Sequence, residues 1–167
     1  MSEQDNSTNG RIARGVVAGI VAGAVASFAM DRFQAAASGF LPDRGGDAEP
    51  ATEQAADALS TAATGREIAA ADKPLAGQAI HYLLGIGLGT AYAVAAEFRP
   101  SVTTGYGTAF GVGTATLLDE AAVPAVGLGD APWKADLPTQ LYSYASHLVF
   151  GGVTEFVRRQ VAGTLSR

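Results

Sequence analysis

The sequence predicts an all-α membrane protein in which four transmembrane helices form a small bundle. Three observations support this prediction. Charged residues make up only 16% of the 167 residues, whereas an average soluble domain has roughly 25%. The missing charge leaves four long stretches with few ionisable groups. The 21 glycines and the abundant alanine suit closely packed helices in lipid better than a soluble core, which needs large side chains.

The elements follow one another along a single domain, 11–167, behind a polar tail, 1–10, that we expect to be disordered. Each apolar stretch is close to the roughly 20 residues that a membrane span needs. We place the four spans at about 12–33, 75–98, 102–123 and 137–157. Pro124 is expected to end or kink the third span.

The segment 34–74 between the first two spans contains three prolines and many acidic residues, and we expect it to form an external loop. Within it, residues 50–64 have the pattern of a short helix, since proline is favoured at a first helical position and Gly65 is suited to ending the helix. This helix is either solvated or covers the bundle mouth or the membrane surface. A weakly apolar face would contain Ala51, Ala55, Ala58, Leu59 and Ala62.

Two alternatives to a four-span protein are open. A soluble alanine-rich bundle would show polar stripes at helical spacing, and the first two spans show almost none. The first span also resembles a signal peptide, with Arg11 and Arg14 before an apolar run and three alanines, 35–37, after it. Charged residues, Asp31 and Arg32, separate that run from the alanines, which favours a retained helix.

The arginines predict the orientation. Those beside helix ends are concentrated on the side that holds both termini, and the positive-inside rule makes that side cytoplasmic; they are Arg11, Arg14, Arg99, Arg158 and Arg159. We therefore expect a multi-pass protein of the plasma (inner) membrane, with the lipid bilayer as its partner. The net charge of −5 argues against nucleic-acid binding. The absence of cysteine excludes disulfides and thiolate sites.

Small residues recur at helical spacing in every span and are interpreted as packing positions, because close backbone approach is a main source of contact in lipid. The same faces could serve between subunits of a homo-oligomer. The spacing of Gly19, Gly23 and Asp31 repeats at Gly107, Gly111 and Asp119, which is compatible with a duplicated helical hairpin. The packing glycines are Gly15, Gly19, Gly23, Gly85, Gly89, Gly107, Gly111 and Gly151.

Ionisable residues within the spans are the candidate functional groups, because a charge in hydrocarbon is costly and normally faces the bundle interior. Counting about 1.5 Å per residue places most of them in the outer third of the bilayer, His147 nearer the middle and Glu155 at the inner end. The candidate proton or ion path comprises Asp31, His81, Asp119, Glu120, His147 and Glu155.

Three interpretations of these groups are open. The histidines can simply hydrogen-bond neighbouring helices while the acids meet water or arginine. They can instead handle protons, because histidine titrates near neutral pH. A metal or haem site on both imidazoles ranks last, since the depth count separates them by roughly 12 Å. We expect no metal and no cofactor. We also expect no catalytic residue, because no serine has a nucleophile-elbow context.

Residues 74–160 resemble the YagU-type family of small prokaryotic inner-membrane proteins. The resemblance rests on His81 and Glu97 at the two ends of the second span, on the glycine-rich start of the third at 105–111, and on residues 124–133. It also rests on His147 followed by Glu155 and two arginines. It implies a small inner-membrane protein associated with tolerance of acid, without any defined catalytic residue.

Overall fold

The computed structural model describes residues 3–40, 49–128, 134 and 136–166. Within these residues every regular element is helical and no strand occurs, which confirms the all-α class. The helices are α1 (Glu3–Ala37), α2 (Ala51–Thr64), α3 (Lys73–Phe98), α4 (Thr108–Thr114), α5 (Val123–Ala125) and α6 (Leu137–Leu165). A π-helical segment, Ala115–Ala122, joins α4 to α5.

Helix α1 is the centre of the structure. It packs along α3 on one side and along α6 on another, whereas α3 and α6 barely touch each other. Its inward face is made of small side chains, and Ala18, Ala22 and Ala26 are completely buried. Helix α2 packs on α3, and α4 packs on α6. Helix α1 therefore packs against one member of each of two helix pairs, α2 with α3 and α4 with α6.

The glycines of α1 and α3 bring the two backbones into direct contact. A Cβ atom added to Gly19 would lie 2.4 Å from Thr90 Cα, and one added to Gly23 would lie 2.3 Å from the Gly85 carbonyl oxygen. Helices α4 and α6 meet in the same way, since a Cβ at Gly111 would lie 2.3 Å from the His147 carbonyl oxygen. All eight glycines interpreted as packing positions lie against atoms of a neighbouring helix.

Two helices of the described chain are long and apolar enough to cross a membrane, by length and composition: the one over Ser7–Ala37 and the one over Lys73–Phe98. They correspond to the first two predicted spans. Only 39% and 28% of the residues in their most apolar windows are buried. Large apolar side chains of α1 point outward instead, with Phe28 55% and Val17 46% exposed.

The third and fourth predicted spans differ from the first two. A short 3-10 helix covers Pro100–Thr103, and the α-helix begins only at Thr108 rather than near 102. Gly105, Tyr106 and Gly107 have positive φ angles of 69°, 56° and 83°, which a right-handed helix does not contain. The helix then changes to π-helical turns at Ala115, so no long uninterrupted α-helix forms here. Helix α6 has 29 residues, but its many serine, threonine and tyrosine residues keep its hydropathy low.

The ends of α2 follow its sequence signals. Pro50 precedes its first turn, and Gly65 ends it in a left-handed conformation with φ 72°. On the side that packs on α3, Ala56 is buried, whereas Leu59 of the weakly apolar face is 61% exposed. Alanine side chains are too small and too numerous in α2 to distinguish one face from another.

An ion-paired carboxylate holds α2 to the start of α3. Asp57 accepts hydrogen bonds from Lys73 Nζ at 2.9 Å and from the Ile68 amide at 2.6 Å. The Lys73 ammonium, and then the Ile68 amide, hold the pKa of Asp57 below its usual range. A carboxyl group whose pKa is lower in the folded than in the unfolded protein stabilises the fold above its unfolded pKa, about 3.9 for aspartate. That stability is lost as the pH falls from there through the folded pKa. This attachment of α2 therefore persists through neutral and mildly acidic pH.

Two features lie at helix ends. Helix α1 begins at Glu3 and so includes the described part of the segment 1–10. Pro124 lies at the start of α5, and that helix ends at Ala125, as expected of a residue that cannot continue a helix through its own N–H.

Gly19→Ala tests the contact between α1 and α3. The added methyl group overlaps backbone atoms of Thr90 and Gly89, which cannot move aside as a side chain can, so we expect a loss of about 1–3 kcal/mol in the free energy of unfolding. The measurement is the unfolding midpoint in detergent. Gly87→Ala is the matched control, because an added Cβ there meets nothing within 4 Å. Equal midpoints for both variants would disprove this packing role.

Candidate functional site: a histidine cavity

A cavity of about 430 Å³ opens between α1, α3, α6 and the π-helical segment, with the first turn of α2 at its mouth. We call it the histidine cavity, because both histidines of the chain line it. Three carboxylates from different elements, Asp31, Glu53 and Asp119, line it as well. Tertiary packing thus brings together four of the six residues proposed for a proton or ion path.

The first pair in the cavity joins α1 to α3. His81 Nε2 lies 3.2 Å from Asp31 Oδ1. The other oxygen of this carboxylate, Oδ2, accepts a hydrogen bond from Gln78 Nε2 at 2.8 Å. The approach of His81 lacks the geometry of a hydrogen bond, so its buried Nε2 has no hydrogen-bond partner among the described residues. An imidazole beside a carboxylate in this arrangement is placed to become an ion pair when it is protonated.

The second pair joins α6 to the π-helical segment. His147 Nδ1 lies 3.0 Å from the Ser143 carbonyl oxygen and 3.6 Å from Asp119 Oδ2. A carbonyl oxygen only accepts hydrogen bonds, so this contact assigns the neutral ring proton to Nδ1 and leaves Nε2 to take up a second proton. Ser143 Oγ donates to Asp119 Oδ2 at 2.6 Å and fixes the carboxylate beside the ring.

The sequence-based depth count placed Asp119 well above His147, and the structure places them in contact. The error came from the start of the third span. Asp119 lies eleven residues after Thr108, the first residue of α4, instead of seventeen after residue 102. At about 1.5 Å per residue this lowers it from roughly 25 Å to roughly 16 Å. π-helical turns hold the segment around Asp119, and such turns occur often at functional sites.

Glu155 lies in a different cluster, which we call the arginine cluster. Its carboxylate is 0% exposed and accepts from Arg158 Nε at 2.7 Å, from Arg159 Nε at 2.5 Å and from the Tyr92 hydroxyl at 2.9 Å. Each carboxylate oxygen accepts two hydrogen bonds. Oε2 accepts from Tyr92 and Arg158 Nε, and Oε1 accepts from Arg159 Nε and Arg158 Nη2. A second ion pair, Arg14 with Glu97, joins α1 to α3.

Aromatic rings lie between the histidine cavity and the arginine cluster. Phe150 lines the cavity, its ring centroid is 5.8 Å from that of Phe110, and Phe110 stacks on Tyr92 at 4.3 Å. Tyr92 in turn bonds to Glu155. Ala26 and Met30 of α1 pack around Phe150. The contacts that lead from the cavity towards Glu155 through Phe150, Phe110 and Tyr92 are therefore made by aromatic rings.

Glu120 also lies outside the cavity lining, although it follows Asp119 directly. Among the described residues, no group of three or more His, Cys, Asp or Glu side chains is arranged to hold a metal ion.

Three residues of these clusters escaped the sequence analysis. Tyr92 follows Gly85 by two helical turns, so its place on the packed face of α3 could have been inferred. Ser27 is 0% exposed and lines the cavity, at helical spacing from Gly23. Glu53 carried no signal, because only the docking of α2 brings it to the cavity mouth against Gly77.

No family model, curated protein or solved structure matches this chain. The resemblance to the YagU-type family therefore stays a prediction from the sequence.

Glu155→Gln tests the arginine cluster. Removing the charge leaves Arg158, whose side chain is 13% exposed, beside a neutral amide, and breaking one partner of a buried ion pair costs about 3–5 kcal/mol. Tyr92→Phe, the matched variant, removes one hydrogen bond from the same carboxylate and should cost about 1 kcal/mol. Chemical unfolding in detergent compares the two. A smaller loss for Glu155→Gln than for Tyr92→Phe would contradict this assignment.

Proposed function

We propose that the protein is a multi-pass inner-membrane protein whose histidine cavity tightens the packing of its helices in response to acid. The observation that carries this proposal is the convergence of both histidines, each beside a carboxylate, on one cavity. No enzymatic reaction is part of the proposal.

The arrangement of side chains on α1 supports the membrane location. Alanines face the interior and are completely buried, whereas valine, isoleucine and phenylalanine side chains face outward. A soluble bundle buries its largest apolar side chains. Lipid removes this requirement, because hydrocarbon tails solvate large apolar groups and leave small residues to bring helices together. The exposed fractions are 46% for Val17, 45% for Ile20, 42% for Val25 and 55% for Phe28.

The proposal includes four membrane crossings with both termini in the cytoplasm. Helices α1 and α3 supply two crossings. The α4–π–α5 segment and α6 supply the others as a hairpin. In the π-helical turns Ala115 is buried and Asp119 lines the cavity, whereas Leu117 is 69% exposed and would face lipid. The arginine cluster then lies at the cytoplasmic end, where arginine is enriched, and the histidine cavity lies at the opposite end.

Protonation has a defined direction of effect in this cavity. An imidazolium ion is attracted to the carboxylate beside it, whereas a neutral imidazole gains little. His81 faces Asp31 of α1, and Glu53 of α2 lines the same cavity; His147 faces Asp119. Among the described residues, no arginine or lysine lines the cavity. Each imidazolium therefore meets negative charge, and acid tightens α1 against α3 and α6 against the π-helical segment.

A response to acid fits the described residues better than steady proton transport, because aromatic rings separate the cavity from Glu155. The acid tolerance associated with the resembling family points the same way by analogy. A purely structural or scaffolding bundle is the second candidate. The glycine-mediated backbone contacts favour it, since they need no ligand or proton, and the same small residues could pack a homo-oligomer.

Reporter fusions test the four crossings. We expect a reporter that is active only outside the cytoplasm to work after residues 45 and 134 and to be silent after residues 100 and 167. A reporter that is active only in the cytoplasm should give the reverse pattern, which controls for expression. Activity of the external reporter after residue 100 or 167 would rule out this topology.

Thermal unfolding in detergent at pH 7.5 and pH 5.5 tests the acid response. Between these values histidine gains its charge, so we expect the wild-type protein to gain stability relative to the double variant His81→Gln, His147→Gln. The expected difference is about 1 kcal/mol for each ion pair formed. The change in stability between the two pH values is compared between the two proteins, because the contribution of the carboxylates is common to both.

Glu120→Gln is the control for this experiment, because it removes a charge next to Asp119 from outside the cavity lining; it should follow the wild-type pH dependence. Parallel curves for the wild type and the double histidine variant would refute the acid response and leave the scaffolding function. Liposomes loaded with a pH dye should show no faster acidification with the wild type than with the double variant.

A further inference from the structure

We infer that the histidine cavity binds a small organic cation, an ammonium ion with an apolar body. This inference rests on the cavity of the proposed acid response and names the ligand class of that site. Three properties of the cavity support it: the sign of its charge, a buried hydroxyl group without a hydrogen-bond partner, and its volume with its apolar lining.

The charge of the cavity selects cations. Three carboxylates line it, from three separate elements, namely Asp31 of α1, Glu53 of α2 and Asp119 of the π-helical segment. The arginines and lysines of the described chain lie elsewhere, so none of them neutralises these carboxylates from within the lining. With neutral histidines the lining carries a net negative charge. A cation entering it would be attracted by all three groups.

Ser27 supplies an observation that is independent of the acids. Its Oγ atom is completely buried, lines the cavity and has no hydrogen-bond partner among the described residues. The buried hydroxyls of Ser146 and Thr154 behave differently, since each donates to the carbonyl oxygen one turn earlier. A buried hydroxyl without a partner destabilises the structure that holds it. A ligand N–H group is the partner that this hydroxyl oxygen can accept from.

His81 Nε2 is a second open position, buried and without a hydrogen bond among the described residues. As a neutral imidazole His81 leaves the negative charge of Asp31 to attract an ammonium group, whereas as an imidazolium it repels that group. Ligand and proton therefore compete for the same carboxylates. The cation should bind more weakly at pH 5.5 than at pH 7.5, which couples its release to the acid response.

The volume of the cavity and its apolar lining residues indicate an organic cation rather than a bare metal ion. Its volume of about 430 Å³ falls within the roughly 300–1,000 Å³ of small-molecule sites. Met30, Leu84, Leu88 and Phe150 contribute apolar surface to it. The carboxylates can then hold an ammonium group while these side chains contact the rest of the molecule.

Cyclohexylammonium is a suitable probe, with cyclohexanol and cyclohexanecarboxylate as neutral and anionic analogues of similar size. The chain has only two histidines, so the two ring C–H resonances in an NMR spectrum report on the cavity directly. We expect cyclohexylammonium to shift both resonances in a saturable manner at pH 7.5, in a constant concentration of KCl. The two analogues should leave them unchanged. Saturable shifts with cyclohexanol as well would overturn the preference for a cation.

Variants localise the site. We expect Asp31→Asn and Asp119→Asn each to weaken binding about tenfold or more, and Ser27→Ala to weaken it about fivefold, the loss of one hydrogen bond. Glu120→Gln is the matched control, with the same loss of charge beside the cavity but outside its lining, and should change binding by less than about twofold. The unfolding midpoint of each variant without ligand shows that it is folded.

The outcomes separate this inference from the proposed function. Failure of cyclohexylammonium to bind, together with a histidine-dependent gain of stability at pH 5.5, overturns the cation site alone. Saturable binding together with parallel pH curves upholds the cation site and refutes the acid response. Equal weakening by Glu120→Gln and Asp119→Asn would show general attraction to an acidic surface and would overturn the site.

Discussion

Close contact between the backbones of α1 and α3 is the constraint on which the rest of the structure depends. Gly19 and Gly23 of α1 leave no room for even one methyl group against the facing turn of α3. The small face of α1 is therefore turned inward, and its large apolar side chains are left outside. Such a helix suits lipid, where close approach rather than burial of large side chains holds helices together. The same contact sets Asp31 of α1 beside His81 of α3.

The two polar clusters differ in how completely their groups are bonded. In the arginine cluster, Glu155 has partners on both carboxylate oxygens, and a fully bonded buried network stabilises one arrangement of helices. In the histidine cavity, Ser27 Oγ and His81 Nε2 have no hydrogen-bond partner among the described residues. Unsatisfied buried groups are rare in folded proteins and require an explanation. This contrast is why we assign a structural role to the first cluster and a responsive one to the second.

Much of the site could be predicted, since residue type and helical spacing select its members. Both histidines, Asp31 and Asp119 were identified because ionisable groups within apolar stretches normally face the interior. Their heights were predicted less well. The left-handed residues at 105–107 delay the start of the third helix, and a delay of six residues moves every later side chain by about 9 Å. The contact between Asp119 and His147 depends on that delay, which local hydropathy does not reveal.

Composition and periodicity alone determined the all-α class, the glycine positions at which helices approach, the ends of α2 and the candidate ionisable residues, because each of these depends on neighbours within a few turns of the chain. Only the tertiary structure decided which helix lies in the centre, that Glu155 lies outside the cavity lining, and that Glu53 lies within it. These features join residues far apart in sequence, and their positions follow from packing of whole helices rather than from any local preference.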